Sequence, residues 1–156
     1  MRVAVISDTH LRTATPWFEA VYARYLAPAD LLIHCGDHTG YGLWAYLLQH
    51  RDCLAVAGNC DGQTLGLEIP PLVDREISGL RVAATHGWGP RPGLAARIAT
   101  AFAGRYDLIF FGHSHTAEDV VHGQIRMVNP GSLSPGGSLA LVDFEPGKCV
   151  VQFVGV

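Results

Sequence analysis

The chain lacks the marks of a nucleic-acid-binding, membrane-spanning or disulfide-stapled protein. Only one of its eleven basic residues is lysine and the net charge is −3, so there is no basic field to hold long nucleic acid. The four cysteines, Cys35, Cys53, Cys60 and Cys149, contain no Cys-x-x-Cys pair, which suits a reducing compartment better than a disulfide framework. No apolar run approaches membrane-spanning length, and no charged leader precedes the apolar run that opens the chain. The expected location is the cytoplasm, with no membrane partner. Repeats, linkers and low-complexity stretches are also missing. With 49% hydrophobic and 16% charged residues over 156 positions, one compact domain spanning 1–156 is expected.

What is present is a repeated design, an apolar run ending in a polar break that carries metal-capable side chains. The run 107–111 stops at Gly112-His113-Ser114-His115. On extended backbone, residues i and i+2 project to one side, so both imidazoles are expected to face one spot. Neutral imidazole is the commonest side-chain ligand for borderline transition metals. One such pair means little. However, 3–6 ends in Ser7-Asp8-Thr9-His10, 31–35 in Gly36-Asp37-His38, 53–57 in Gly58-Asn59-Cys60-Asp61, and 80–85 in His86-Gly87. Any one Asp or His could be a cap, a turn former or a paired core group. Five strand ends together favour a shared crevice beyond the carboxyl ends of the strands.

Thr15 as N-cap and Pro16 start a helix whose stripe of Trp17, Phe18, Val21, Tyr22 and Tyr25 reads as core, stopped by Pro28. A second helix places Leu43, Trp44, Leu47 and Leu48 on one face. The stretch 63–71 reads as a loop, 73–77 and 80–85 as a hairpin across Ser78-Gly79, and Pro92 as opening a helix with Leu94, Ile98 and Phe102 inward. Two more hairpins turn at His122-Gly123 and at 145–148. Strand–helix alternation followed by hairpins predicts an α/β fold of two sheets packed face to face with helices outside.

Seven side chains, Asp8, His10, Asp37, Asn59, His86, His113 and His115, are too many for one transition ion. With Asp37 shared, Asp8, His10, Asp37 and His115 would hold one ion, and Asp37, Asn59, His86 and His113 a second. Two ions ~3.5–4 Å apart form the clamp used for in-line displacement at phosphorus, with a bridging hydroxide as nucleophile. The mixed carboxylate, amide and imidazole set favours manganese, iron, zinc, cobalt or nickel over magnesium or calcium.

The order Asp-x-His, Gly-Asp, Gly-Asn-x-Asp, His-Gly, Gly-His-x-His resembles the calcineurin-like metallophosphoesterases. Spacing and length, with Asn129-Pro130-Gly131-Ser132, are most similar to their smallest branch, the YfcE-type phosphodiesterases, from Val3 to about Ser134. The resemblance implies a four-layer α-β-β-α sandwich of two mixed β-sheets flanked by helices. It also implies a phosphoesterase with two divalent metal ions, manganese favoured, at the positions just named, with Asn59 facing the substrate phosphate. A homodimer or homotetramer is implied as well.

Many phosphatases of the family carry histidine in the third position of Gly-Asn-x-Asp, where it can act as general acid; here that residue is Cys60. A thiol of ordinary pKa ~8.5 is a poor acid catalyst. Losing a general acid removes ~10²–10⁴-fold in rate, least with good leaving groups. A small phosphodiester, best an activated aryl one, is therefore the expected substrate, with Cys60 beside the leaving group rather than acting as nucleophile. His38 is either a replacement acid or, as the favoured reading, a solvent-facing loop residue. Asp61 is expected to orient the turn 58–60 or a ligand from behind. Arg12 and Arg91 are expected either to meet a phosphate oxygen or to be surface arginines. His34 reads as a hydrogen-bonded core residue and His122 as a turn residue. The competing expectation is a non-enzymatic or weakly active partner-binding scaffold, like the retromer subunit of this fold, against which the seven filled positions argue.

Overall fold

Strand β1 (Arg2–Ile6) is apolar on both faces because both faces are covered. In the computed structural model, which describes residues 1–156 apart from the side chain of Thr64, Val3 and Val5 point between two sheets, and Ala4 and Ile6 point to helices outside. β1 lies parallel to β2 (Leu31–His34), which lies parallel to β3 (Cys53–Ala55). On its other side β9 (Ser138–Glu145) runs antiparallel and pairs with β10 (Lys148–Gly155). The second sheet has the order β4 (Leu72–Ile77), β5 (Leu80–Thr85), β6 (Leu108–Phe110), β8 (Ile125–Pro130), β7 (Ala117–His122). Its three central strands are parallel and its edges are hairpins.

Val3, Val5, Leu31 and Ile33 meet Val82, Ala84, Leu108, Phe110 and Val128 between the sheets. The outer face of the first sheet is covered by α1 (Pro16–Val21), which continues as a π-helical turn over Tyr22–Leu26, and by α2 (Tyr41–Leu47). The outer face of the second is covered by α4 (Leu94–Ala101), through Leu94 and Ile98 on Ala83, Ile109 and Met127. The architecture is the expected α-β-β-α sandwich of two mixed five-stranded sheets. Each buried aliphatic or aromatic side chain contributes ~1.5–3 kcal/mol, against ~0.2–1 kcal/mol for a cross-strand pair, so the apolar pattern fixes the register.

Thr15 caps α1, its hydroxyl accepting from the Phe18 N–H at 3.3 Å. The stripe behind it is core, with Phe18, Val21 and Tyr22 buried. Ser78 and Gly79 carry the left-handed φ values, +52° and +82°, of a tight hairpin turn. Four expectations are corrected. The stretch read as a loop over 63–71 contains α3 (Gly62–Glu68), because Leu65 and Ile69, four residues apart, are buried against Ala55. That packing outweighs the poor helix propensity of Gly62 and Gly66. β3 ends at Ala55, two residues early, and the Ala57 N–H goes to the Pro70 carbonyl instead (2.9 Å). Leu48 caps α2 and is 55% exposed rather than inward. Pro92 precedes α4, whose cap is Gly93 at φ +71°.

The register aligns Ile6 with His34 and His34 with Ala55 in one sheet, and Ala84 with Phe110 and Phe110 with Val128 in the other. The six parallel strands thus end level, and the loops leaving them meet above the inter-sheet core. Crevices at such strand ends are where α/β folds bind ligands.

Candidate metal centre

At five of the seven predicted ligands the backbone is left-handed. Asp8, His10, Asp37, Thr39, His113 and His115 have φ between +49° and +69°, and Ser78 in the hairpin turn is the one other non-glycine residue of that kind among those described. Each such position costs roughly 1–2 kcal/mol and persists only where its surroundings hold it, which is typical of functional sites. The extended-backbone argument for His113 and His115 is therefore corrected: both residues are left-handed, with Ser114 between them not so, and their rings go to opposite ends of the centre.

Asp8, Asp37 and His86 form a buried floor, while His10, His115, Asn59 and Cys60 stand at an exposed mouth. At one end His115 Nε2 lies 3.2 Å from Asp8 Oδ1 and 3.4 Å from His10 Nε2, and His10 Nε2 lies 3.9 Å from Asp37 Oδ2. Asp8 Oδ1 is buried and, because His115 Nε2 beside it is not in hydrogen-bond geometry, has no hydrogen-bond partner among the described residues. A buried carboxylate oxygen left this way is costly unless a cation meets it.

The other end is more specific. His86 Nδ1 faces the Cys35 carbonyl at 2.7 Å, and His113 Nε2 faces the Gly89 carbonyl at 2.9 Å. Carbonyl oxygens only accept, so those ring nitrogens carry the hydrogens. In the neutral rings the opposite nitrogens, His86 Nε2 and His113 Nδ1, are then bare, yet they stand 3.1 Å and 2.9 Å from Asn59 Oδ1, itself an acceptor. His86 Nε2 is also 3.5 Å from Asp37 Oδ2. Acceptors gathered on one point repel unless a cation lies among them, and backbone carbonyls behind metal-binding histidines fix the tautomer in this way. The donor set fits a borderline divalent ion at each end. Burial alone would raise the Asp37 carboxyl, but the neighbouring His86 ring and the Cys60 N–H, which donates to Oδ1 at 2.8 Å, hold it well below its ordinary value. Burial opposes protonation of His86, but the Asp37 carboxylate outweighs it and raises its pKa.

The remaining predicted residues divide. Asp61 is buried behind the ligands and accepts from the N–H groups of Asp37 (3.1 Å), Gly58 (2.7 Å) and Thr39 (2.8 Å). His38 is wholly buried, which overturns the solvent-facing reading; its Nδ1 donates to Asp61 at 3.2 Å, so it presents no proton to the mouth. The Cys60 sulfur lies within 4.8 Å of donor atoms of His10 and Asp37. Loss of surrounding water, with Asp37 beside it, pushes the thiol up to about 11. Arg91 is exposed and close enough to His115 that, after burial, its charge helps lower that histidine's pKa. The Arg12 side chain is exposed; its carbonyl anchors the Leu43 N–H at 3.1 Å. His34 accepts from the Gly36 N–H inside the core.

Sequence reasoning missed the groups that fasten the two sheets' loops together. Ser7 Oγ donates to Asp8 Oδ2 at 2.6 Å, which also accepts from the His113 N–H at 3.0 Å. Ser132 Oγ donates to the Asp8 carbonyl at 2.8 Å, and Asn129 Nδ2 to the Gly112 carbonyl at 2.9 Å. A Cβ on Gly112 would collide with Ser7 Oγ, and one on Gly58 with the Asp37 carboxylate. The legible signal was a polar residue directly after an apolar strand, at Ser7 and Asn129.

Two mixed sheets with carboxylate, amide and imidazole donors at their parallel strand ends define a phosphoesterase-type α/β sandwich. The calcineurin-like phosphoesterase superfamily domain model matches residues 1–146, and the chain belongs to that family. It is 32% identical over 136 residues to the curated "Probable metallophosphoesterase MJ0623" of Methanocaldococcus jannaschii, covering 85% of this chain and 68% of that one. Against "Phosphodiesterase MJ0936" of the same organism it is 24% identical over 148 residues, covering 84% and 83%. The fold is also that of Entamoeba histolytica Vps29 complexed with zinc, with a TM-score of 0.75 at 21% identity over 99% of both chains.

Proposed function

We propose that the chain is a phosphodiesterase that works with two divalent transition ions, manganese favoured over nickel, zinc, iron or cobalt, on a small phosphodiester. The observation that carries this is the acceptor cluster of His86 Nε2, His113 Nδ1 and Asn59 Oδ1, with Asp37 between it and the Asp8, His10 and His115 end. Asp8, His10, Asp37 and His115 would hold one ion, and Asp37, Asn59, His86 and His113 the other. Two such ions, when bound, polarise phosphoryl oxygens and activate water for in-line attack at phosphorus.

The chain's own residues supply the rest. Asn59 Nδ2 points to the Cys60 sulfur at 3.2 Å, a weak acceptor that a phosphate oxygen at the mouth would replace. Arg91 adds positive charge on the His115 side. Cys60, a thiol at the mouth beside Asp37, is a weak hydrogen-bond donor where a histidine acid would serve, so good leaving groups are favoured. The family is one of phosphoesterases, and a curated relative named as a phosphodiesterase supports the diester reading.

The test is hydrolysis of bis(4-nitrophenyl) phosphate and 4-nitrophenyl phosphate by metal-stripped protein, with Mn, Ni, Zn, Co and Mg returned singly. Metal-dependent cleavage favouring the diester supports the reading; a trapped phosphorylated residue would overturn single in-line attack. The second reading, a partner-binding scaffold, is favoured by the Vps29 likeness. Asp37→Ala separates them, since a scaffold keeps its cellular role without the centre.

A further inference from the structure

Beneath the centre lies a buried polar stack that contacts no substrate. The His38 ring packs on the His34 ring with centroids 3.6 Å apart and planes 20° from parallel, and its other neighbour is the Trp44 ring, edge-on at 5.8 Å. Both histidines have zero exposure. His34 Nδ1 accepts from the Gly36 N–H at 3.1 Å, so its Nε2 carries the hydrogen and donates to Thr9 Oγ1 at 3.0 Å. The Thr9 hydroxyl in turn donates to the Asp37 carbonyl at 3.4 Å. His38 Nδ1 donates to Asp61 Oδ2, the oxygen that also receives the Asp37 and Gly58 N–H groups.

The stack therefore touches all three loops of the first sheet. Thr9 sits between Asp8 and His10, Gly36 precedes Asp37, and Gly58 precedes Asn59. Four non-glycine residues in these loops, Asp8, His10, Asp37 and Thr39, are held left-handed. Such backbone needs surroundings that over-determine it. Asp61, on the third loop, accepts from the second loop at Asp37 and Thr39 and from its own at Gly58, and among the described residues His38 is the one side chain that donates to it. His38 lies on the second loop, so its bond to Asp61 ties that loop to the third.

We propose that His38 is a positioning residue: through Asp61 it fixes Asp37 and the Gly58–Asn59 backbone in register, and so sets the end of the centre made by Asp37, Asn59, His86 and His113. This rests on the two-ion reading above. The end made by Asp8, His10 and His115 shares Asp37, and the Asp8 and His10 N–H groups donate to the Gly36 and Asp37 carbonyls, but it depends on His38 less, because the Asp8 carboxylate is also held by Ser7 and the His113 N–H. Removing an outer partner of this kind costs ~10–100-fold in metal affinity.

The test uses three variants at His38 and one control, Met127→Ala, all in the full chain. In His38→Asn the side-chain amide falls near the position of Nδ1 and can still donate to Asp61. His38→Phe keeps the stacked ring and loses the donor. His38→Gln is a polar alternative whose amide sits near the position of Nε2. Manganese is added to stripped protein and read by equilibrium binding and by electron paramagnetic resonance, where two neighbouring Mn(II) ions give an exchange-coupled spectrum. The proposal predicts two ions and a coupled spectrum in the wild type and in His38→Asn. In His38→Phe and His38→Gln the second ion weakens ~10–100-fold, the coupled spectrum gives way to that of an isolated ion, and the first ion, which shares Asp37, weakens less than the second. Met127→Ala, destabilising but far from the loops, should keep both ions. If His38→Phe, or His38→Gln should the Phe variant not fold, binds both ions as the wild type does, the proposal is overturned while the two-ion reading stands. A wild type that binds no second ion overturns both.

Discussion

Replacing Gly112 with alanine should damage both the fold and the centre, for steric reasons alone. An added Cβ would land on Ser7 Oγ and within 2.8 Å of both Asp8 Oδ2 and the Cys35 carbonyl. None of these can retreat cheaply: Ser7 and Asp8 are wholly buried, and Ser7 Oγ is tied to Asp8 Oδ2 at 2.6 Å and to the Cys35 carbonyl at 3.2 Å. Overpacking a core by one methyl group costs ~1–3 kcal/mol, and a buried hydrogen bond broken on one side costs ~1–3 kcal/mol more. The sum, ~2–6 kcal/mol, is a large part of the ~5–15 kcal/mol that holds a domain folded. Urea unfolding of stripped Gly112→Ala should show that loss, and manganese binding at the Asp8 end should weaken with it. Ser7→Ala removes the struck oxygen, so the double variant should recover at least ~1 kcal/mol relative to additivity. Wild-type stability in Gly112→Ala, or a double variant no better than additive, would refute the reasoning.

Manganese at about a hundred times its dissociation constant should stabilise the protein by ~2.7 kcal/mol per ion. At ~2–4 °C per kcal/mol, differential scanning should show a rise of ~5–11 °C per ion, lost in Asp37→Ala. Cys60→Ser should keep hydrolysis of aryl diesters within about threefold, since the metal chemistry does not use the thiol; a fall beyond ~10²-fold would point to a covalent role. Burial holds His34 well below its ordinary value, with the charge of His38 adding to this. The folded state therefore binds fewer protons than the unfolded chain, so stability is full above pH ~6.5 and falls as pH drops below it. The urea midpoint of stripped protein should decline from pH 7 to pH 5.5, and more steeply in the wild type than in His34→Phe.

The alternating sheets and the gathering of five strand ends were legible because burial on two faces leaves continuous apolar runs, and the residue after each run is forced to the shared edge. α3 was not legible: its glycines argue against helix, and the contact of Leu65 and Ile69 with Ala55 that overrides them is long-range. That His113 and His115 belong to the centre was legible, but their placement at opposite ends of it was not, since left-handed φ at five ligand positions is held by tertiary hydrogen bonds such as that from the His113 N–H to Asp8. The burial of His38 was hidden for the same reason. A histidine beside a loop aspartate reads as exposed until the Trp44 and His34 rings are placed around it.

The central claim, a centre of two ions bridged by Asp37, is tested most directly by titrating manganese into stripped protein while following bis(4-nitrophenyl) phosphate hydrolysis. Activity should rise to a plateau at two equivalents per chain, with none at any manganese concentration in Asp37→Ala. A plateau at one equivalent, or Asp37→Ala retaining wild-type activity, would contradict it.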